Sequence, residues 1–170
     1  AGIDDTLFYD LCDDKGQVVE VTASGWTVKT TPQALFKRLT HQLIQKFPDK
    51  DGDINLIFSY LNIGDDNQKL LLKAYLVSTL IPDMPHPIPI VFGPHGSAKS
   101  TFLRVLRKII DPSKLELLTF PKKTAELIQI LDHHWCPYFD NVSGLSCEES
   151  DELCKACTGG GMSKRRLYTD

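Results

Sequence analysis

The stretch Ile88-Pro89-Ile90-Val91-Phe92-Gly93-Pro94-His95-Gly96-Ser97-Ala98-Lys99-Ser100-Thr101 decides how this chain is read. It opens on a short apolar run that predicts a buried strand and closes where a helical pattern begins. Between them, Gly93-x-x-Gly96-x-Ala98-Lys99-Ser100 is close to the phosphate-binding pattern G-x-x-x-x-G-K-[S/T]. Glycines let backbone N–H groups turn inward around phosphate oxygens, because no Cβ blocks the approach. The helix that follows points its unsatisfied donors and positive dipole end at the same anion. Lys99 is placed to reach the β- and γ-phosphates, and Ser100 to offer its hydroxyl to Mg²⁺. Residues Gly93, Pro94, His95, Gly96, Ser97, Ala98, Lys99, Ser100 and Thr101 are therefore the expected cradle, with ATP and Mg²⁺ its expected occupants. Ala98 departs from the pattern, since a glycine normally precedes the lysine and alanine tolerates positive φ poorly.

Downstream, Leu115–Leu118 reads as a second strand, Thr124–Asp132 as a helix and Trp135–Phe139 as a third strand. With the helix carrying Phe102, Leu103, Val105, Leu106 and Ile109, this alternation predicts an α/β fold. Its core is a parallel sheet with helices on both faces. The third strand ends in Phe139-Asp140-Asn141. An acidic residue leaving the carboxyl end of an apolar strand after a phosphate loop fits the Mg²⁺ shell, so Ser100 and Asp140 are the candidate metal ligands. Asn141 stands where many related ATPases carry the glutamate that polarises attacking water. Asparagine cannot take a proton, which predicts slow hydrolysis or another base, with Glu148 and Glu149 the nearest acids in sequence.

Upstream, Leu7–Leu11, Val18–Val21 and Trp26–Val28 alternate between turn signals and predict a three-stranded meander over residues 1–30. Residues 31–85 read as a helical segment. Thr31-Pro32 starts a helix whose stripe is Leu35, Phe36, Leu39, Leu43, Ile44 and Phe47; Ile54–Leu61 is a short helix or a strand, and Asn67–Leu80 a further helix capped by Asp65 or Asp66. Pro82, Pro85, Pro87 and Pro89 form a stiff connector into residues 86–170, the nucleotide-binding core.

The chain has 170 residues, 42% hydrophobic, 24% charged and with a net charge of −3, the profile of an ordinary globular protein. That balance makes it no electrostatic magnet for nucleic acid, so any such contact needs a local basic patch. No apolar run reaches the length of a membrane span, and no charged-then-apolar leader opens the sequence. The missing initiator Met suggests a processed or excised chain. Its 5 cysteines lack scaffold spacing, which points to a reducing cytoplasm. Cys154-x-x-Cys157 falls at a helix C-terminus, where the dipole raises rather than lowers a thiol pKa, so a redox role is not expected. Zinc held by Cys136, Cys147, Cys154 and Cys157, or by His133-His134, is conceivable, but buried small cysteines read better. Ser146-x-x-Glu149 predicts a capped helix through Cys157. Beyond it, Gly159-Gly160-Gly161 followed by Lys164, Arg165 and Arg166 suggests a mobile basic hairpin.

Three segments together carry a resemblance: Gly93–Thr101, Phe139-Asp140-Asn141-Val142-Ser143-Gly144-Leu145, and Thr158-Gly159-Gly160-Gly161 with Arg165-Arg166-Leu167-Tyr168-Thr169-Asp170. They resemble a family of phage-derived bacterial P-loop proteins similar to primase-associated, superfamily 3 type DNA helicases. Asp111-Pro112-Ser113 and Tyr9-Asp10-Leu11 also fit, and Ala98 is an accepted variant there. The resemblance implies an AAA+-like ring ATPase acting on DNA in mobile-element replication, with Lys99, Asp140 and Asn141 catalytic. It further implies a homo-oligomeric ring and single-stranded DNA contacts through Lys164, Arg165 and Arg166. The sensor asparagine and arginine finger of such helicases are expected beyond Asp170, which implies a fragment with little activity of its own. A nucleotide-binding switch with little hydrolysis is the alternative. A small-molecule kinase shares the loop but would need a lid and an acceptor motif, and neither is evident.

Overall fold

The computed structural model describes residues 2–3, 5–30, 34–82 and 84–159. Its first unit is an antiparallel sheet in the order β1-β2-β3-β4, built from β1 (Gly2–Ile3), β2 (Thr6–Asp10), β3 (Val18–Thr22) and β4 (Gly25–Lys29). The meander expected from the sequence is present, with β1 as an added edge. Tyr9 lies opposite Val19, and Val19 opposite Val28. The β2–β3 turn closes on Asp13, whose carboxylate accepts the Gln17 N–H at 2.8 Å. One face of the sheet buries Phe8 and Val18 against Ala34 and Phe36. On the other, the Tyr9 hydroxyl donates to the carbonyl of Ile110.

Residues 34–50 contain no helix, contrary to their apolar spacing. The backbone finds partners in the tertiary structure instead. Leu43 N–H donates to Pro112 O and Gln45 N–H to Leu11 O, Lys114 N–H returns to His41 O, and Gln42 bridges Ser113. Arg38 grips Asp10 through Nε and Nη2 at 2.8 and 2.6 Å and the carbonyl of Asp13 through Nη1. The predicted stripe consequently splits, leaving Leu35 99% exposed. Its proposed start at Thr31-Pro32 lies outside the described residues.

The second unit begins with a short 3-10 helix, Ile54–Ser59, followed by α1 (Asp66–Ser78), α2 (Lys99–Ile110), α3 (Thr124–His133) and α4 (Cys147–Thr158). Asp65 caps α1 through the Asn67 N–H, and Ser146 with Glu149 forms the expected capping box on α4. On α2, Leu103, Leu106, Arg107 and Ile110 are buried at helical spacing. Leu103, Leu106 and Ile110 join Ile57, Leu61, Leu72, Leu76 and Tyr138 in the main core. Each such aliphatic burial contributes roughly 1.5–3 kcal/mol.

The sheet of this unit overturns the expected fold class. It is a two-residue parallel pair, β5 (Leu118–Thr119) with β6 (Phe139–Asp140). The parallel-sheet P-loop NTPase core of AAA+ type, with helices on both faces, is not what the chain forms here. Among the described residues, 88–92 joins neither sheet, and Ile90 and Phe92 are 81% and 90% exposed. Pro87 and Pro89 give a physical reason. Alternate residues of a strand donate from the same edge, and these two have no N–H to give. Among the described residues, the apolar run that reads as a buried strand is an irregular approach to α2 outside both sheets.

Candidate functional site

The loop 93–98 delivers the chain from that approach into α2. Ala98 caps α2 in the left-handed conformation, φ 59° and ψ 21°, where a non-glycine residue costs about 1–2 kcal/mol. Gly93 has a stricter requirement. Its φ of 154° is one that side-chain-bearing residues rarely adopt, and a Cβ there would also displace the Ser97 hydroxyl, 2.9 Å away. The Lys99 ammonium folds back over the loop and donates to Gly93 O at 3.0 Å and Pro94 O at 2.8 Å. Ser97 Oγ, at 3.4 Å, completes its shell. Pro94, His95, Gly96 and Thr101 are exposed around this turn.

Ser100, in the first turn of α2, donates its hydroxyl to Asp140 Oδ2 at 2.8 Å. The fold thus joins two residues 40 positions apart that the sequence had put forward as a pair. Asp140 ends β6, and its other oxygen accepts the N–H of Asn141 at 3.0 Å. Asn141 itself is left-handed, φ 56°, which turns the chain sharply out of the strand. Its side chain is exposed beside the carboxylate. A hydroxyl and a carboxylate are hard oxygen donors of the kind Mg²⁺ accepts alongside water and phosphate oxygens. The N–H groups of the first α2 turn have no intrahelical acceptor. The residues present fit a phosphate with its ion.

A buried polar network fixes this geometry from below, and sequence reasoning did not find it. Arg107, 1% exposed, donates through Nη1 to Asp111 Oδ2 at 2.8 Å and to the carbonyl of Cys136. Its Nη2 lies 2.7 Å from His134 Nδ1. Asp111 also accepts the Cys136 N–H. Burial first, then the Arg107 charge, drives the His134 pKa down to about 4, so the imidazole is neutral and its Nδ1 accepts from the guanidinium. The Trp135 indole N–H donates to Thr79 O, and the Tyr75 and Tyr138 hydroxyls share a hydrogen bond. These contacts tie the segment leading into β6 to the ends of α1 and α2. The signal was available in the sequence: an arginine on the apolar stripe of α2 with an aspartate four residues on.

Among the described residues, no group of three or more His, Cys, Asp or Glu is placed to hold a metal ion. Cys147 and Cys154 are exposed on α4. The Cys157 thiol is raised in pKa by burial first, then by the neighbouring Cys154 and Cys136. Lys164, Arg165 and Arg166 lie outside the described residues. No described helix is long and apolar enough to cross a membrane.

The family model of the actinomycete integrative conjugative element replication protein matches residues 54–170. That span covers more than half of the chain. The chain belongs to this family. No curated protein and no solved structure matches it. The family match starts at the 3-10 helix, takes in the loop, Ser100, Asp140 and the Arg107 network, and leaves the β-meander outside. Replication of a mobile element is the setting in which the site has to be understood.

Proposed function

We propose that residues Gly93–Thr101, with Asp140, bind ATP and Mg²⁺, and that the protein uses them as a DNA-acting ATPase in the replication of its mobile element. The observation that carries this reading is the Ser100–Asp140 hydrogen bond. It brings a hydroxyl at a helix N-terminus and a strand-end carboxylate to one point beside a glycine loop. In that arrangement Lys99 transfers its donors from the loop carbonyls to phosphate oxygens. The first-turn N–H groups of α2 bind the same oxygens, and Ser100 and Asp140 hold the ion. When bound, the ion neutralises phosphate charge; orienting and screening the phosphates is the work of the loop. Asn141 can hydrogen-bond a water but cannot deprotonate it. This favours slow turnover and keeps a nucleotide-dependent switch as the second reading.

The family setting supports DNA as partner, with single-stranded DNA and a homo-oligomeric ring as the finer form of the reading. ATP turnover measured with and without single-stranded DNA tests it. Stimulation of at least several-fold, lost in Lys99→Ala, is the motor's result. Nucleotide binding with no turnover under either condition favours the switch. No nucleotide binding at all contradicts both.

A further inference from the structure

A cleft of about 550 Å³ opens between the end of β5, helix α3 and the segment around His41. Its size is that of a small-molecule site. Phe120, Pro121 and Ile130 give it apolar walls, while Lys122, Gln129 and Thr119 supply polar groups at the rim together with Glu126, whose carboxylate is paired with Lys123. Three imidazoles belong to the lining, His41, His133 and His134, and the rings of His41 and His134 have centroids 4.1 Å apart. Phe120 is braced edge-on by Phe139 at 5.0 Å. Planar side chains therefore meet in this cleft, and hydrogen-bonding groups ring it.

The charges nearby have one sign to spare. Lys123 and Lys37 are spent on Glu126 and Asp132, and Glu116 is shared by Arg104 and Lys108. Lys122 on the rim has no carboxylate within ion-pair distance among the described residues. The same holds for Lys114, whose N–H donates to the carbonyl of His41. In a chain of net charge −3, the unspent Lys122 on the rim of an aromatic cleft favours an anionic ligand with a flat apolar part.

From this geometry we propose that the cleft takes an unstacked base of single-stranded DNA, its neighbouring phosphate held by Lys122. Phe120 offers the base a face, and Gln129 and Thr119 offer its edge both donors and acceptors. A base paired in a duplex cannot present itself this way, because its faces are stacked. The position gives the contact a consequence. Thr119 at the rim is the register partner of Asp140, so the backbones of the cleft and of the proposed ATP site meet across one strand spacing, about 4.8 Å. The proposal rests on DNA being the partner, as in the reading above.

Anisotropy of a labelled oligothymidylate with the full chain, nucleotide-free and across a salt series, tests the proposal. Phe120→Ala is expected to weaken binding about 5- to 150-fold, the loss of one base stack. Lys122→Gln, at an exposed position that cannot threaten folding, is expected to weaken binding and flatten the salt slope by about 0.7. Gln129→Trp fills the cleft from its exposed rim and should also reduce affinity, while Lys15→Gln on the meander turn should change nothing. If wild type ignores the oligonucleotide, both this proposal and the DNA-partner reading fall. If it binds but Phe120, Lys122 and Gln129 variants all bind equally, the cleft is overturned and the DNA contact lies elsewhere. Displacement by thymidine monophosphate at the same nucleotide concentration would show a free-nucleotide site and overturn the strand reading.

Discussion

Arg107→Met removes the cation at the centre of the buried network while keeping the apolar stem of the side chain. Asp111, itself 5% exposed, then keeps, among the described residues, only the Cys136 N–H as hydrogen-bond partner for its carboxylate. Breaking a buried pair by deleting one member costs about 3–5 kcal/mol, a large part of the roughly 5–15 kcal/mol that holds a domain folded. At about 2–4 °C per kcal/mol for a chain of this size, Tm should fall by roughly 6–20 °C. Urea unfolding followed by far-UV circular dichroism measures the loss directly. Adding Asp111→Asn neutralises the stranded charge but preserves an acceptor for Cys136, and should recover about 2 kcal/mol or more. A single variant that loses less than about 1 kcal/mol would refute the reasoning. So would a double variant no more stable than the single one. Because the network positions Cys136 just upstream of Asp140, a folded Arg107→Met should also bind nucleotide more weakly.

Three further outcomes follow from the same geometry. Ala98→Gly relieves a left-handed alanine; after the entropy glycine gives back to the unfolded chain, the variant should gain about 0.5–1 kcal/mol in urea unfolding. Asp140→Asn should reduce the Mg²⁺ dependence of nucleotide binding more than binding without metal, read by titrations with and without chelator. His134 has a folded pKa of about 4 against an ordinary 6.5, so the unfolded state binds its proton first. Stability should therefore be fully present above pH 6.5 and decline as pH falls towards 4. Discounted for its partial exposure, the loss should be at most about 2 kcal/mol. The groups around it are Arg107, Asp111, His41 and His133, and His134→Gln should remove most of the decline.

The capped helices were legible because their signals are local: Asp65 before α1, the Ser146–Glu149 box before α4, and the apolar stripe of α2 are read within a few residues. The Ser100–Asp140 pair was legible too, since each member sits at the end of an element its neighbours define. Segment 34–50 was not. Its spacing favours a helix, but pairing with Leu11, Pro112 and Ser113 satisfies the backbone through partners distant in sequence. The run 88–92 failed for another reason: an apolar strand needs a neighbour as well as a composition, and two prolines remove donors from one edge. The Arg107 network depends on three-dimensional convergence of two pairs, 107 with 111 and 134 with 136, which lie far apart in sequence.

Calorimetry with Mg·ADP on wild type and Lys99→Ala tests the central claim most directly. The wild-type chain is expected to bind one nucleotide. Lys99→Ala should bind about 10- to 150-fold more weakly, the loss of a charge-assisted phosphate contact worth roughly 1.5–3 kcal/mol. Equal affinity in both proteins, or no heat from wild type with Mg·ADP or Mg·ATP, would contradict a nucleotide site at Gly93–Thr101.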